Sequence, residues 1–195
     1  MAKKIEVDVN DYSFLEAASS YRGSLLRPID TAKLLKQCFW LEFELSRMTM
    51  GWVSAVPDWD VKGELVRMSY LHTQHMVHLR ERIRELPGSD IGDKAWTPSG
   101  LQEACQRIST APGLIEFAAG YKYVVSKLYE QYTAFHETLD PILDGPTFDK
   151  LRYLELDKEQ LLSWGIPYVK FAYVEDQGKR DEYHRWLAYI DRVWT

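Results

Sequence analysis

Prolines and glycines divide this chain into long helical segments, and that division constrains its fold more than any other feature. Proline lacks an amide hydrogen and glycine favours turns, so both mark helix ends. Between them, apolar side chains recur every three or four residues, which is the period of an amphipathic helix. No segment alternates as a half-buried strand would. The breakers are Pro57, Pro87-Gly88, Pro112-Gly113, Pro141, Gly145-Pro146 and Pro167.

The spacing predicts four long helices, one short helix and one terminal helix in a single all-α domain of 195 residues. The long helices span about 30–55, 58–86, 111–139 and 147–165, the short helix about 97–110, and the terminal helix about 180–193. We expect an up-down four-helix bundle over 28–168, with the short helix added and the C-terminal helix in 169–195. Residues 1–27 read as an irregular lead-in, with a short helix near 12–18.

Composition and charge exclude several classes of function. The net charge of −5 provides no basic surface to neutralise phosphates, so no nucleic-acid partner is expected. No apolar run approaches 18 residues, so no membrane span is expected, and the first residues lack the apolar core of a signal peptide. Cys38 and Cys105 form no Cys-x-x-Cys pair, and buried free thiols fit a reducing compartment. We therefore expect a cytoplasmic protein.

Two histidines lie on the apolar face of the second long helix. His72 sits at the centre of the stripe, His75 lies one turn on at its edge, and His78 falls well outside it. Imidazoles at positions i and i+3 share a helix face and can bind a metal or act as acid and base. Burial of both would require polar partners, which favours a functional site.

The other long helices offer candidate partners for this pair. Glu42 and Glu44 flank the stripe of the first helix on opposite sides, so only one of them can lean towards a common point. The third helix offers the hydroxyls of Tyr121 and Tyr132. On the fourth helix, Glu155 and Lys158 lie within the apolar stripe, where an ion pair is costly unless something holds it. Together these side chains predict a buried His/Glu/Lys/Tyr cluster.

Two stretches resemble motifs of the ferritin-like superfamily, whose two-metal bundles use Glu-x-x-His pairs on facing helices. The first is His72-Thr73-Gln74-His75 followed by Leu79-Arg80-Glu81-Arg82. The second is Asp144-Gly145-Pro146-Thr147, then Leu151-Arg152, Asp157-Lys158-Glu159-Gln160-Leu161 and Trp164-Gly165. The resemblance covers about residues 30–168 and implies a ferritin-like bundle related to oxygen-activating di-iron enzymes.

The same resemblance implies a degenerate metal site. Lys158 stands at the position of a metal-binding Glu, Leu161 at that of a His, and His72 at that of the first motif's Glu. Glu44 is the better match to the first-helix ligand, with Glu42 second. We hypothesise that the Lys158 ammonium replaces metal charge by pairing with Glu155 or a first-helix glutamate.

Three functions remain open from the sequence. The first is an enzyme that acts on a small organic substrate through His72, His75, Lys158, Glu155 and Tyr132, with no cofactor favoured. The second is a mononuclear or dinuclear iron oxygenase or oxidoreductase, with iron or manganese held by Glu44, His72 and His75. The third is a non-catalytic bundle that serves as an interaction subunit through its Trp-rich terminal helix. A homodimer fits each of these, whereas iron storage is disfavoured by the missing ligands.

Overall fold

The structure is a computed structural model that describes residues 26–88, 99–167 and 177–194. Seven helices lie wholly within these segments, and no strand occurs in them. The helices are α1 (Pro28–Val53), α2 (Trp59–Arg84), α3 (Ser99–Ser109), α4 (Leu114–Thr138), α5 (Gly145–Glu155), α6 (Lys158–Ser163) and α7 (Gln177–Trp194). The all-α prediction is confirmed. The expected short helix near 12–18 lies outside the described residues.

Helices α1 and α2 form an antiparallel pair. Each has 26 residues and is therefore about 39 Å long. Pro28 stands in the first turn of α1, and Asp58 caps α2 by accepting hydrogen bonds from the amides of Asp60 and Val61. The connection between α1 and α2 is short, so α2 runs back alongside α1, as the break at Pro57 predicts.

The pairwise packing of the helices closes a ring. Helix α1 packs on α2, α2 on α5, α5 on α4, and α4 on α1, while α6 packs on α4. Helix α3 lies against α1 and α4, and α7 lies against α3 and α4. Trp186 of α7 donates its indole N–H to the carbonyl of Glu116 at 3.0 Å. The terminal helix therefore packs on its own bundle.

The predicted fourth long helix is wrong in one respect, because it is broken in the middle. Helix α5 ends at Glu155 and α6 begins at Lys158, with a turn at Leu156 and Asp157 between them. Asp157 has φ −89° and ψ 0°, away from helical values. Aspartate is a poor residue for a helix interior, and here its carboxylate is held by a buried imidazole, His75. The break turns Asp157 towards the bundle interior.

Gly165 lies in a turn after α6 that requires glycine. Its φ is +78°, which L side chains rarely adopt. A Cβ atom at this position would lie 2.9 Å from the Cβ of Ala118 on α4. The turn after α6 therefore packs directly against the α4 backbone, which the Trp164-Gly165 sequence alone does not reveal.

None of the helices in the described ranges combines the length and the apolar character needed to cross a membrane.

We predict that Gly165→Ala lowers the free energy of unfolding by about 2 kcal/mol or more, because it adds left-handed strain and a steric clash. Urea titration followed by circular dichroism measures the change. Gly63→Ala is the matched control, since a Cβ atom there would contact nothing in the interior of α2, and it should raise the free energy by about 0.5–1 kcal/mol. Equal effects of the two substitutions would contradict the assigned turn.

Candidate metal centre

A buried carboxylate lies at the centre of the bundle. Glu42 of α1 is fully buried, a rare position for glutamate unless it is paired. Its Oε2 lies 2.5 Å from Nδ1 of His72, and its Oε1 lies 2.9 Å from Nδ1 of His75. The hydroxyl of Tyr132 on α4 donates to Oε1 at 2.7 Å. Three helices thus converge on one side chain.

The far nitrogen of each histidine is also held. Nε2 of His72 lies 2.7 Å from the hydroxyl of Tyr121, and Nε2 of His75 lies 3.1 Å from Oδ2 of Asp157. Asp157 is the member that reaches solvent, with 30% of its side chain exposed. We call this set the Glu42 cluster. Its members are Glu42, His72, His75, Tyr121, Tyr132 and Asp157.

One arrangement of protons satisfies every contact of the cluster. In this arrangement His75, which lies between two carboxylates, is an imidazolium that donates from both ring nitrogens. His72 donates from Nδ1 to Glu42 and accepts at Nε2 from the hydroxyl of Tyr121. Every hydrogen then has an acceptor, and no polar atom of these side chains is left without a partner.

The electrostatics follow from burial and from this pairing. Burial by itself raises the pKa of Glu42, but the charges and hydrogen bonds of His75 and His72 outweigh it and lower that pKa to about 2. Burial likewise lowers the pKa of His75, but Glu42 and then Asp157 outweigh it and raise that pKa above its usual value. Both shifts favour the charged forms, a carboxylate at Glu42 and an imidazolium at His75, in the folded protein.

The two tyrosines remain protonated donors. Burial is the main cause that raises the pKa of Tyr121 and Tyr132 well above the usual value, and the nearby charge of Glu42 raises both further. Neither phenol therefore adds negative charge to the cluster.

Glu42, His72 and His75 could hold a metal ion. Each offers one ligand atom, and these atoms all lie within 4.8 Å of one another. Two imidazoles and one carboxylate form a ligand set that suits Fe(II) when other coordination positions stay open. Metal-bound histidines commonly donate their second N–H to a carboxylate or another oxygen, a role that Asp157 and Tyr121 can fill here.

The structure places the predicted site residues in two groups. His72, His75 and Tyr132 lie in the cluster, whereas Glu44 does not, although the resemblance favours it over Glu42. Two residues along a helix turn the side chain by about 200°, so Glu44 points away from the cluster. It pairs instead with Arg47 on the same helix. The inward carboxylate is therefore Glu42.

Lys158 and Glu155 also lie outside the cluster. The Lys158 ammonium sits 5.7 Å from the centre of the Tyr129 ring, and within the described segments it pairs with neither Glu155 nor a first-helix glutamate. Glu155 has Oε2 3.9 Å from Nδ1 of His136. The expected replacement of metal charge by Lys158 is wrong, because the helix break points the preceding residue, Asp157, inward. Leu161 is a buried core residue.

Asp157 is the site residue that sequence reasoning missed. In an unbroken helix it would lie towards the edge of the apolar stripe formed by Leu151, Leu154 and Leu161. Its poor helix propensity was the one available signal of a break.

The opposite pKa shifts predict a pH range of greatest stability for metal-depleted protein. Because its pKa is lowered on folding, Glu42 contributes to the free energy of unfolding. This contribution is complete above the unfolded-state pKa of about 4.5 and is lost as the pH falls towards about 2. The contribution of His75, whose pKa is raised, is complete below its unfolded value near 6.5 and is lost as the pH rises through the folded pKa. The free energy of unfolding from urea titration should therefore peak between about pH 4.5 and 6.5.

Glu42→Gln should lower this maximum by about 3 kcal/mol and flatten both flanks of the profile. Glu64→Gln is the control, because Glu64 forms an exposed ion pair with Arg67 on α2. If the profiles of the wild type and Glu42→Gln have the same shape, the ionised pair is ruled out.

No protein-family model matches the chain, and neither a curated protein nor a solved structure gives a match. The Glu42 cluster and the helices that carry it are therefore the basis for assigning a function.

Proposed function

We propose that this protein is an iron- or manganese-dependent oxidoreductase on a ferritin-like bundle, acting on a small organic molecule. Glu42, His72 and His75 hold one metal ion. The observation that carries the proposal is the convergence of these three buried ligands, with the far nitrogen of each imidazole already anchored. A redox-active metal supplies electron transfer or oxygen activation, and the chain supplies the ligands and the enclosure.

The charge of the cluster favours one metal ion over two. Two divalent ions need several carboxylate ligands to balance their charge. Among the described residues, the group of potential ligands contains a single carboxylate, Glu42. Asp157 is engaged with the far side of His75, where it orients the ring. A mononuclear centre with two histidines and one carboxylate fits this supply of charge.

The ferritin-like scaffold is supported by the packing of the two motif regions. Arg82, from the Arg-rich turn of α2, donates to Thr147 at 2.7 Å and to Asp144 at 2.6 Å. These contacts join the first motif to the Asp-x-Pro-Thr sequence in the first turn of α5. The closed ring of α1, α2, α5 and α4 around the cluster is the arrangement that such a scaffold requires.

The chain's own residues would exclude bulk water and position the ligands. Glu42, His72 and His75 are buried, so the ligands sit in a low-dielectric interior. Tyr132 holds one oxygen of Glu42, and Asp157 links the interior to solvent. This enclosure favours a small reaction partner over a macromolecule.

A second candidate function is proton transfer without a metal. It is favoured by the complete hydrogen bonding of the cluster described above, which needs no ion to satisfy it. Hydrogen bonds run from the partly exposed Asp157 through His75, Glu42 and His72 to Tyr121. In this arrangement His75 holds a proton between two carboxylates, so it could act as a buried acid that releases this proton to Glu42 or to Asp157.

Metal analysis distinguishes the two functions. We expect full-length protein loaded anaerobically with Fe(II) or Mn(II), then desalted, to retain about one ion per chain by elemental mass spectrometry. His75→Ala and Glu42→Gln should each lose most of the bound metal, because the first removes a ligand and the second replaces the set's single carboxylate with a neutral amide. Circular dichroism checks that both variants fold.

His78→Ala provides the matched control. His78 lies on the same helix and carries the same ring, but it faces Lys150 and Glu81 at the surface. This variant should retain the metal of the wild type. Wild-type protein that holds no metal after loading with either ion would overturn the metal proposal and leave proton transfer. Equal losses in His78→Ala and His75→Ala would show that retention does not depend on this cluster.

Asp157 orients the His75 ring and is not a metal ligand itself. Substitutions at Asp157 therefore test the effect of ring orientation on metal binding, apart from any effect on folding. We expect Asp157→Ala to weaken metal affinity about 10–100-fold, the usual cost of losing a partner of a ligating histidine. Asp157→Asn keeps an oxygen that can accept the Nε2 hydrogen, so its affinity should lie between those of the wild type and Asp157→Ala. Competition with a metal-binding dye measures all three. Unchanged affinity in Asp157→Ala would remove the residue from the site.

A further inference from the structure

Helices α1 and α2 expose an apolar face on the side away from the Glu42 cluster. Its members are Phe43, Met50, Val66, Tyr70 and Val77, each 43–60% exposed. We call this set the α1/α2 face. The same two helices supply much of the buried core, but these five side chains are not part of it and lie at the surface.

Helical spacing places the five side chains together. Phe43 and Met50 are seven residues apart on α1 and therefore lie two turns apart on one side of it. Val66, Tyr70 and Val77, at intervals of four and seven, form the equivalent row on α2. The two rows run along one surface of the helix pair.

Hydroxyl contacts fix how the two rows meet. Ser46 of α1 lies 3.0 Å from the hydroxyl of Ser69 and 3.1 Å from that of Thr73 on α2. These contacts mark the outer edge of the seam between the helices. The row on α1 flanks the seam on one side and the row on α2 flanks it on the other, so the two rows lie side by side along the helix pair.

The size of this surface suits the apolar centre of an interface, with the remaining area left to a polar rim. Its exposed apolar area is about 500 Å², taking about 200 Å² for a fully exposed large side chain. That is near the upper end of the largest apolar patch on a typical monomer. A stable interface buries roughly 800 Å² on each partner, with an apolar centre and a polar rim. The α1/α2 face supplies an apolar centre, and the half-exposed side chain of Arg47, which lies between Phe43 and Met50 on α1, is available for the rim.

We propose that the α1/α2 face binds a second copy of this chain. A two-fold interface brings the same patch of each copy together, so the patch must be complementary to itself. The five members of the face are uncharged, and contact between two copies therefore brings no like charges together there. Two antiparallel helices of equal length also present a nearly flat pair of ridges, onto which an identical pair can pack.

Sedimentation equilibrium of the full-length protein tests the interface. We expect a mass of twice 22.8 kDa at micromolar concentration. Tyr70→Lys and Met50→Lys should each raise the dimer dissociation constant at least tenfold, since each places a charge in the centre of the apolar contact. Both residues are about half exposed, so helix content by circular dichroism should not change.

Ile142→Lys is the control, because it makes the same kind of change at an exposed apolar residue between α4 and α5. It should leave the dissociation constant of the wild type unchanged. A monomeric wild type would overturn the proposal and point to another cover for the face, such as residues 1–25. A dimer that withstands both Tyr70→Lys and Met50→Lys would overturn it as well, by placing the interface elsewhere.

Discussion

The buried negative charge of Glu42 is the constraint on which the rest of the bundle depends. A carboxylate inside a protein is strongly disfavoured unless charge and hydrogen bonds compensate it. Here the compensation comes from α2 through His72 and His75 and from α4 through Tyr132. The charge on His75 is in turn balanced by Asp157, at the break between α5 and α6. The charge of Glu42 thus requires inward-facing partners on α2, on α4 and at the break between α5 and α6.

The same contacts define how the charge of the cluster would change if a metal ion bound. Without metal, the carboxylates of Glu42 and Asp157 face one imidazolium, so one negative charge is left in excess. A divalent ion needs free nitrogen lone pairs, and it would therefore displace the Nδ1 proton of His75. The proton of His72 can move from Nδ1 to Nε2 while Tyr121 turns to accept it. One proton would leave and two positive charges would enter, so the excess negative charge would disappear.

The helices were predictable from the sequence because proline and glycine act locally. The predicted ends lie within about three residues of the observed ones for the long helices before the break. The inward direction of His72, His75 and Tyr132 also followed from helical periodicity. The choice of Glu42 over Glu44 did not, because it depends on which side of α1 the second helix packs. The break at Asp157 was equally hidden, since it is stabilised by His75, which lies far away along the chain.

The seam between α1 and α2 connects the interior site with the outer face. On its inner edge, Glu42 meets His72; one turn along, on its outer edge, Ser46 meets Ser69 and Thr73. A sideways shift of α2 against α1 would disturb both sets of contacts together, because each helix moves as a rigid rod. A second copy packed across the outer face would resist that shift and keep the two imidazoles at a fixed distance from Glu42. The proposed self-association at the surface would therefore be coupled through a single helix pair to the positions of the candidate ligands in the interior.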